Sequence, residues 1–282
     1  MDGLLVFGQS GQVARELAIQ APAARFLGRD AADLTDPDAC ARAIQNATVV
    51  INAAAYTAVD RAETEPELCR VINAEAPAAM ARACRAQGIP FLHISTDYVF
   101  DGSGEAPRNE SAPCAPLNVY GASKLAGERA IVEQGGQTAI LRTSWVFSAH
   151  GGNFVKTMHR LGASHDRLNI VADQIGGPTP AADIAAALLV MAKQMKDDRT
   201  KHGIYHFSGA PSVSWAEFAT QIFHAGGQCC QVDPIPTSDY PTPARRPLNS
   251  RLDCSRILKD FGIPQPSWKS GLIPVLNQQE KL

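Results

Sequence analysis

The stretch "GLLVFGQSGQVARELAIQ", Gly3 to Gln20, decides the fold. Leu4 to Phe7 is a short apolar run closed by glycine, and from Gly11 onward apolar residues recur at helical spacing, so the segment reads strand, tight turn, helix. Within the turn, Gly8, Gly11 and Ala14 follow a G-x-x-G-x-x-A pattern. Such a turn lets the backbone approach a pyrophosphate and aims the first N–H groups of a helix at it. Glycines also close ordinary turns, but at the first strand-to-helix junction of a parallel sheet the pattern marks a dinucleotide cradle. Ala14 preserves the close helix-to-strand packing that the last position serves.

The same rhythm continues outward. "ARFLG" (24–28) reads as a second strand, Asp36-Pro37 as an N-cap with proline in the first helical position, and "TVVINAAA" (48–55) as a third strand. A helix over Asn73 to Gln87 precedes the strand "PFLHIS" (90–95). A Pro/Gly/Asn-rich loop then leads to a helix carrying Tyr120 and to the strand "TAILR" (138–142). Alternation of this kind predicts an α/β fold with a doubly wound parallel sheet. Past Ser148 it loosens: helices near 153–162, 181–196 and 214–225 are separated by irregular segments, among them the proline-rich "PIPTSDYPTPARRP". The expected division is a dinucleotide-binding domain over 1–148 and mainly a smaller substrate-binding lobe over 149–282, with some segments returning to the core.

Composition narrows the partners. The 282 residues are 45% hydrophobic and 19% charged, enough for a sizeable core, and the net charge of −2 comes without a basic run. General affinity for nucleic acid or an anionic membrane therefore has no electrostatic basis, and a small molecule is the expected partner. Seven scattered cysteines without a C-x-x-C pair fit reduced thiols in a cytoplasm. The longest apolar stretch, Ile184 to Ala192, is too short to span a bilayer.

The candidate chemistry lies at the carboxyl edge of the sheet. In "PLNVYGASKLAGE" (116–128), Tyr120 and Lys124 are one helical turn apart. A tyrosine has an ordinary pKa of about 10 and needs a nearby cation to do acid–base work near neutrality, which Lys124 is placed to supply. "HISTDYVFDG" (93–102) ends a strand in Ser95, Thr96 and Asp97, where Thr96 can hydrogen-bond a substrate carbonyl beside Tyr120, although capping alone also suits Thr96 and Asp97. At the end of the second strand stand Arg29 and Asp30. An arginine there suits the extra phosphate of NADPH, an acid the bare ribose of NADH. Arg29 favours NADPH, and NADH stays open.

Together "FGQSGQVARE", "INAAAYTAVDRAETEPE", "STDYVFDG", "PLNVYGASKLAGE", "LRTSWVFS", "DQIGGPT" and "YPTPARRPLNSRLD" resemble the dTDP-4-dehydrorhamnose reductase family of the extended short-chain dehydrogenase/reductase superfamily. The glycine and Tyr-x-x-x-Lys motifs are shared across the superfamily, whereas the tryptophan segment and the "PTPARRP" tail are particular to this group. The resemblance implies a modified Rossmann fold, a dTDP-linked 4-keto-6-deoxy sugar as substrate, and the last step of dTDP-L-rhamnose biosynthesis. By its motifs Thr96, Tyr120 and Lys124 match the catalytic trio. Gly8, Gly11, Gln12 and Val13 match the dinucleotide turn, and Ala54, Ala55 and Tyr56 a segment lining the cofactor. Asp97 and Trp145 fall at substrate-contacting positions, with ordinary core as the alternative for Trp145. Arg245 and Arg246 suit the substrate diphosphate, or else form a solvated pair. Some members hold magnesium with acidic residues at a dimer contact. Glu16 falls on one such position, but "VLNQQ" (275–279) carries no acid, so the resemblance supplies no complete metal site and leaves a homodimer open.

Two other readings share parts of this pattern. A nucleotide-sugar epimerase or 4,6-dehydratase would share the turn and the Tyr/Lys pair, but Thr96 is followed by Asp97 and Tyr98 and not by the Asp-Glu pair of dehydratases. The regulatory subunit of methionine adenosyltransferase resembles the same reductases and acts by binding a partner. Retention of Thr96, Tyr120 and Lys124 favours catalysis.

Overall fold

A computed structural model describes residues 2–279. Its central sheet has six parallel strands, β1 (Leu4–Phe7), β2 (Arg25–Leu27), β3 (Val49–Asn52), β4 (Phe91–Thr96), β5 (Thr138–Thr143) and β6 (Gly203–His206), in the order β2-β1-β3-β4-β5-β6. The order reverses between β1 and β3, and a crevice outside the carboxyl ends of the strands at such a switch point is where these sheets bind ligands.

Both faces of the sheet are covered, which is why β1 and β3 are apolar nearly throughout and show no polar alternation. Successive side chains point to opposite faces. Leu4 and Val6 meet Val13 and Leu17 of α1 (Gln12–Gln20), whereas Leu5 and Phe7 meet Ala76, Met80 and Cys84 of α2 (Ala76–Gln87) and Ile131 of α3 (Val119–Gln134). On the α1 side the core continues into Ile184, Leu188 and Met191 of α4 (Ala181–Asp197). Each Val, Leu, Ile, Phe or Met among them, fully buried, contributes roughly 1.5–3 kcal/mol.

The expected cap holds: the Asp36 side chain accepts a hydrogen bond from the Ala39 N–H, and Pro37 opens the helix. The helix expected from Asn73 differs. Helical turns begin at Pro66, pass through a π segment over Val71–Glu75 and only then become α2. Pro77 has no N–H for the Asn73 carbonyl, and a wider turn before it absorbs the missing bond.

A third core lies beyond the sheet. Phe147, Val155, Phe218, Ile222, Trp268 and Leu272 pack beneath a parallel pair of strands, Arg167–Val171 with Gln231–Ile235, together with α5 (Trp215–Ala225). β6 pairs with β5, so residues 203–206 belong to the main sheet. Among the described residues no helix is long and apolar enough to cross a membrane.

Candidate active site

The carboxyl ends of β1, β3, β4 and β5 open into a cleft of about 680 Å³. Of the residues singled out in the sequence, Gly8, Gly11, Gln12, Val13, Arg29, Ala54, Ala55, Thr96, Asp97, Tyr120, Lys124 and Trp145 line it, and Asp30, Tyr56, Arg245 and Arg246 do not.

The β1 end has the shape of a dinucleotide cradle. Gly8 has φ +115°, and a Cβ there would lie 3.3 Å from both the Ala53 carbonyl carbon and the Ala14 Cβ. Only a bare backbone passes between α1 and β3 in this way. Gly11 precedes α1 without a side-chain cap, a Cβ on it would meet nothing within 4 Å, and Gly11, Gln12 and Val13 line the cleft where α1 begins. This arrangement fits a pyrophosphate. The Gln12 side chain plays a different part, since its Oε1 accepts from Ser148 Oγ at 3.1 Å and Asn153 Nδ2 at 2.9 Å and so ties the 146–153 loop to the start of α1. Arg29 is exposed at the rim, and Asp30 is exposed outside it.

Ala54 and Ala55 are set in place by residues that the motifs do not announce. The Ala54 N–H donates to Asn52 Oδ1 at 3.1 Å, and buried Asn73 bonds both the N–H and the carbonyl of Tyr56, at 2.8 and 3.0 Å. Tyr56 turns its hydroxyl away to Glu65, 2.6 Å away.

Thr96 ends β4 and caps the short helical turn Asp97–Val99, its Oγ1 accepting from the Tyr98 N–H at 3.2 Å. The same hydroxyl hydrogen-bonds Asp97 Oδ1 at 3.1 Å, and it lies close enough to the Tyr120 phenol to act on its ionisation. Capping and a place in the cleft therefore coexist. α3 reaches Thr96 because of Gly121: a Cβ at that position would sit 2.2 Å from the Tyr98 carbonyl oxygen. Gly121 thus lets the turn carrying Tyr120 lie directly on the turn that follows Thr96.

Burial pushes the Tyr120 phenol above its ordinary pKa, with only the Thr96 hydroxyl opposing it. The expected lowering by Lys124 is not found. The Lys124 Nζ is drawn instead to His93 Nε2 at 3.0 Å and the Ile94 carbonyl at 2.8 Å, and burial lowers its pKa to about 8. Asp97 is pushed up to about 6 by burial, against hydrogen bonds from Ser250 and Thr96, and its Oδ2 has no partner among the described residues. Below Lys124, a buried ion pair fixes α3 to the sheet: Glu128 accepts from Arg142 Nη2 and Nε and from Ser95 Oγ, at 2.5, 2.9 and 2.5 Å.

Trp145 is half-buried, lies outside the three cores and has φ +48°, rare for a bulky residue. Trp215, which the motif reading passes over, stacks against it and also lines the cleft. Arg246 is engaged by Asp60 at 2.8 Å and by the Ala244 carbonyl, and Arg245 is exposed. Glu16 on α1 lies 3.5 Å from His150, and among the described residues no group of three or more His, Cys, Asp or Glu side chains is gathered as for a metal.

Comparison with known proteins agrees with this geometry. The family model described as the RmlD substrate binding domain matches residues 1–281. A dTDP-4-dehydrorhamnose reductase from Sinorhizobium fredii is 43% identical, with 94% of each chain covered. Among solved structures, a dTDP-4-dehydrorhamnose reductase from Clostridium acetobutylicum superposes with a TM-score of 0.91 at 34% identity, covering 98% of this chain and 99% of that one. One from Bacillus anthracis, in complex with NADP, gives 0.90 at 36% identity and 98% coverage of both. The chain belongs to the family of the RmlD substrate binding domain, that of the dTDP-4-dehydrorhamnose reductases.

Proposed function

We infer that the chain is an oxidoreductase that reduces the 4-keto group of dTDP-4-dehydro-L-rhamnose to dTDP-L-rhamnose, the last step of dTDP-rhamnose biosynthesis. The observation that carries this reading is the convergence of Thr96, Tyr120 and Lys124 with the Gly8–Gly11 turn in one cleft.

NADPH, when bound, supplies the hydride for carbon 4. Gly8, Gly11 and the first N–H groups of α1 hold its pyrophosphate, Ala54 and Ala55 line its path, and Arg29 pairs with the phosphate on its ribose. Thr96 hydrogen-bonds the substrate carbonyl, and the Tyr120 phenol gives its proton to the oxygen as negative charge develops there. A raised phenol pKa keeps that proton in place until the alkoxide forms. Lys124 orients the ribose beside Tyr120. Asp97 and Trp145 hold the deoxysugar, one by its unpartnered carboxylate oxygen and the other by covering an apolar face. For Arg245 the exposed position suits contact with the substrate diphosphate, and Arg246 reaches it by leaving Asp60. From the chain beyond Ser148, Gly151, Gly152 and Trp215 line the cleft. All seven cysteines are free, which supports a cytoplasmic setting.

The test is consumption of NADPH by the purified protein with dTDP-4-dehydro-L-rhamnose, set against UDP- and GDP-linked 4-keto sugars. Turnover confined to the dTDP sugar supports the reading, and equal use of all three overturns the assigned substrate.

A further inference from the structure

A chain of hydrogen bonds runs behind the catalytic helix, from the Ala54 N–H through Asn52 and His93 to Lys124, and its polarity can be read link by link. Asn52 Oδ1 accepts from the Ala54 N–H at 3.1 Å. The amide is thereby oriented, and its NH₂ group faces His93 Nδ1 at 3.1 Å. An amide nitrogen only donates, so Nδ1 must accept and carries no proton. His93 is completely buried, and both burial and the neighbouring Lys124 hold its pKa well below the ordinary value, so the ring is neutral and its single proton sits on Nε2. Nε2 faces Lys124 Nζ at 3.0 Å.

This last link has a chemical consequence. An ammonium has three donors and no lone pair, so Nε2–H against –NH₃⁺ is donor against donor. An amine accepts from Nε2–H and still donates to the Ile94 carbonyl at 2.8 Å. Turning the Asn52 amide over does not relieve the clash, because its NH₂ would then face the Ala54 N–H. With Lys124 charged, one link always fails, and with Lys124 neutral all are made.

We propose that His93, locked by Asn52 as the Nε2–H tautomer, is a positioning residue that lowers the proton affinity of Lys124 and makes it a proton-exchanging group instead of a fixed charge. The groups facing Lys124 are His93 and the Ile94 carbonyl from β4, Glu128 from α3, and the Cys69 thiol from the Pro66–Arg70 helix. Glu128 and Cys69 favour the ammonium, and the burial that opposes them prevails. The inference rests on the catalytic placement of Lys124 given above, but it is read without turnover.

Two measurements on the full chain decide it. The first is the ring tautomer of His93, from multiple-bond ¹H–¹⁵N NMR at neutral pH, the resonance being assigned by its loss in His93→Gln. A proton on Nε2 is expected, and a proton on Nδ1 or on both nitrogens overturns the proposal. The second is titration of Lys124 followed at its Cε in ¹³C-lysine protein, with Lys124→Met for assignment. In His93→Gln, whose carbonyl can accept from the ammonium, the midpoint rises by about one pH unit, a tenfold change in proton affinity, and the basic limb of kcat/KM moves with it. An unchanged midpoint in a folded variant overturns the proposal. Should His93→Gln fail to fold, assignment by the through-bond ring pattern of the wild-type chain leaves the tautomer test standing.

Discussion

Trp145 and Trp215 lie face to face, ring centroids 3.4 Å apart and planes within 7°. Trp215 is fixed from behind by Phe154, 4.5 Å away between centroids, and by a hydrogen bond from its Nε1 to Gln174 Oε1 at 3.2 Å. The stack joins the loop after β5 to the first residue of α5, so the rigid lobe core holds an indole at the mouth of a cleft whose other wall is the nucleotide turn. Trp145→Ala should therefore raise KM for the sugar nucleotide strongly while NADPH affinity and most folding stability remain. A buried tryptophan would behave otherwise, its truncation costing about 3–5 kcal/mol. Thermal melts and substrate titration on the same variant separate the two, and a large drop in Tm with normal substrate binding would place Trp145 in the core.

Tyr120→Phe keeps the ring edge-on to Tyr98, 5.6 Å between centroids, and removes only the hydroxyl. Turnover should fall by the roughly 10²–10⁴-fold typical of a lost general acid, with NADPH binding retained. Near-normal kcat would remove Tyr120 from the proton-donor role.

Gly121→Ala tests how the catalytic helix is seated. The new methyl would meet the Tyr98 carbonyl oxygen at 2.2 Å, and neither backbone can give way without moving α3 or the turn after Thr96. Overpacking of this kind costs about 1–3 kcal/mol or more. Because the shift separates Tyr120 from Thr96, kcat should fall further than the loss of Tm alone implies. Activity and melting temperature both at wild-type level would mean the turn is slack.

How far the sequence reveals all this depends on the range of the forces involved. β1, the turn and α1 are legible because the apolar run, the glycines and the helical period are all local to residues 3–20. Thr96, Tyr120 and Lys124 are legible as motifs, and strand polarity places the first of them at the carboxyl edge. The partners that set their chemistry are not: His93, Asn52, Asn73 and Glu128 are buried polar residues whose bonds, Glu128 to Ser95 among them, join positions dozens of residues apart. Hence a lysine four residues from a tyrosine suggests a lowered phenol pKa, whereas the fold turns Lys124 to His93 and Ile94. Trp215 carries no local signal beyond its place after the Ser214 cap, and nothing local to residues 203–206 reveals that β6 pairs with β5. The start of α2 misleads because the helical pattern runs on through Asn73, while the structure sets a π segment over Val71–Glu75 before Pro77.

Arg29 at the rim of the cleft predicts a cofactor preference. Arg29→Ala should raise KM for NADPH and leave NADH nearly unchanged, since only NADPH carries the additional ribose phosphate. Equal effects on both cofactors would show that Arg29 makes no phosphate contact.

Asp97 predicts a conflict between stability and function. Asp97 is only 3% exposed, and its folded pKa of about 6 lies above the ordinary aspartate value of about 3.9. The folded state then binds the proton more tightly than the unfolded chain, so this group's contribution is fully present below about pH 4 and is lost as pH rises through about 6. Two pH units correspond to about 3 kcal/mol, an order-of-magnitude figure. Asp97→Asn removes the ionisation and should raise Tm at pH 8 while changing it little at pH 4. The same change takes a carboxylate from the lining of the cleft, so, with Asp97 holding the deoxysugar as proposed, kcat/KM for the sugar nucleotide should fall even as the protein becomes more stable. Melting curves of both proteins across pH 4 to 8 check the first half and steady-state kinetics the second. A variant less stable than wild type at pH 8 would mean that the charged carboxylate is compensated by partners in the fold and is not held there at a cost.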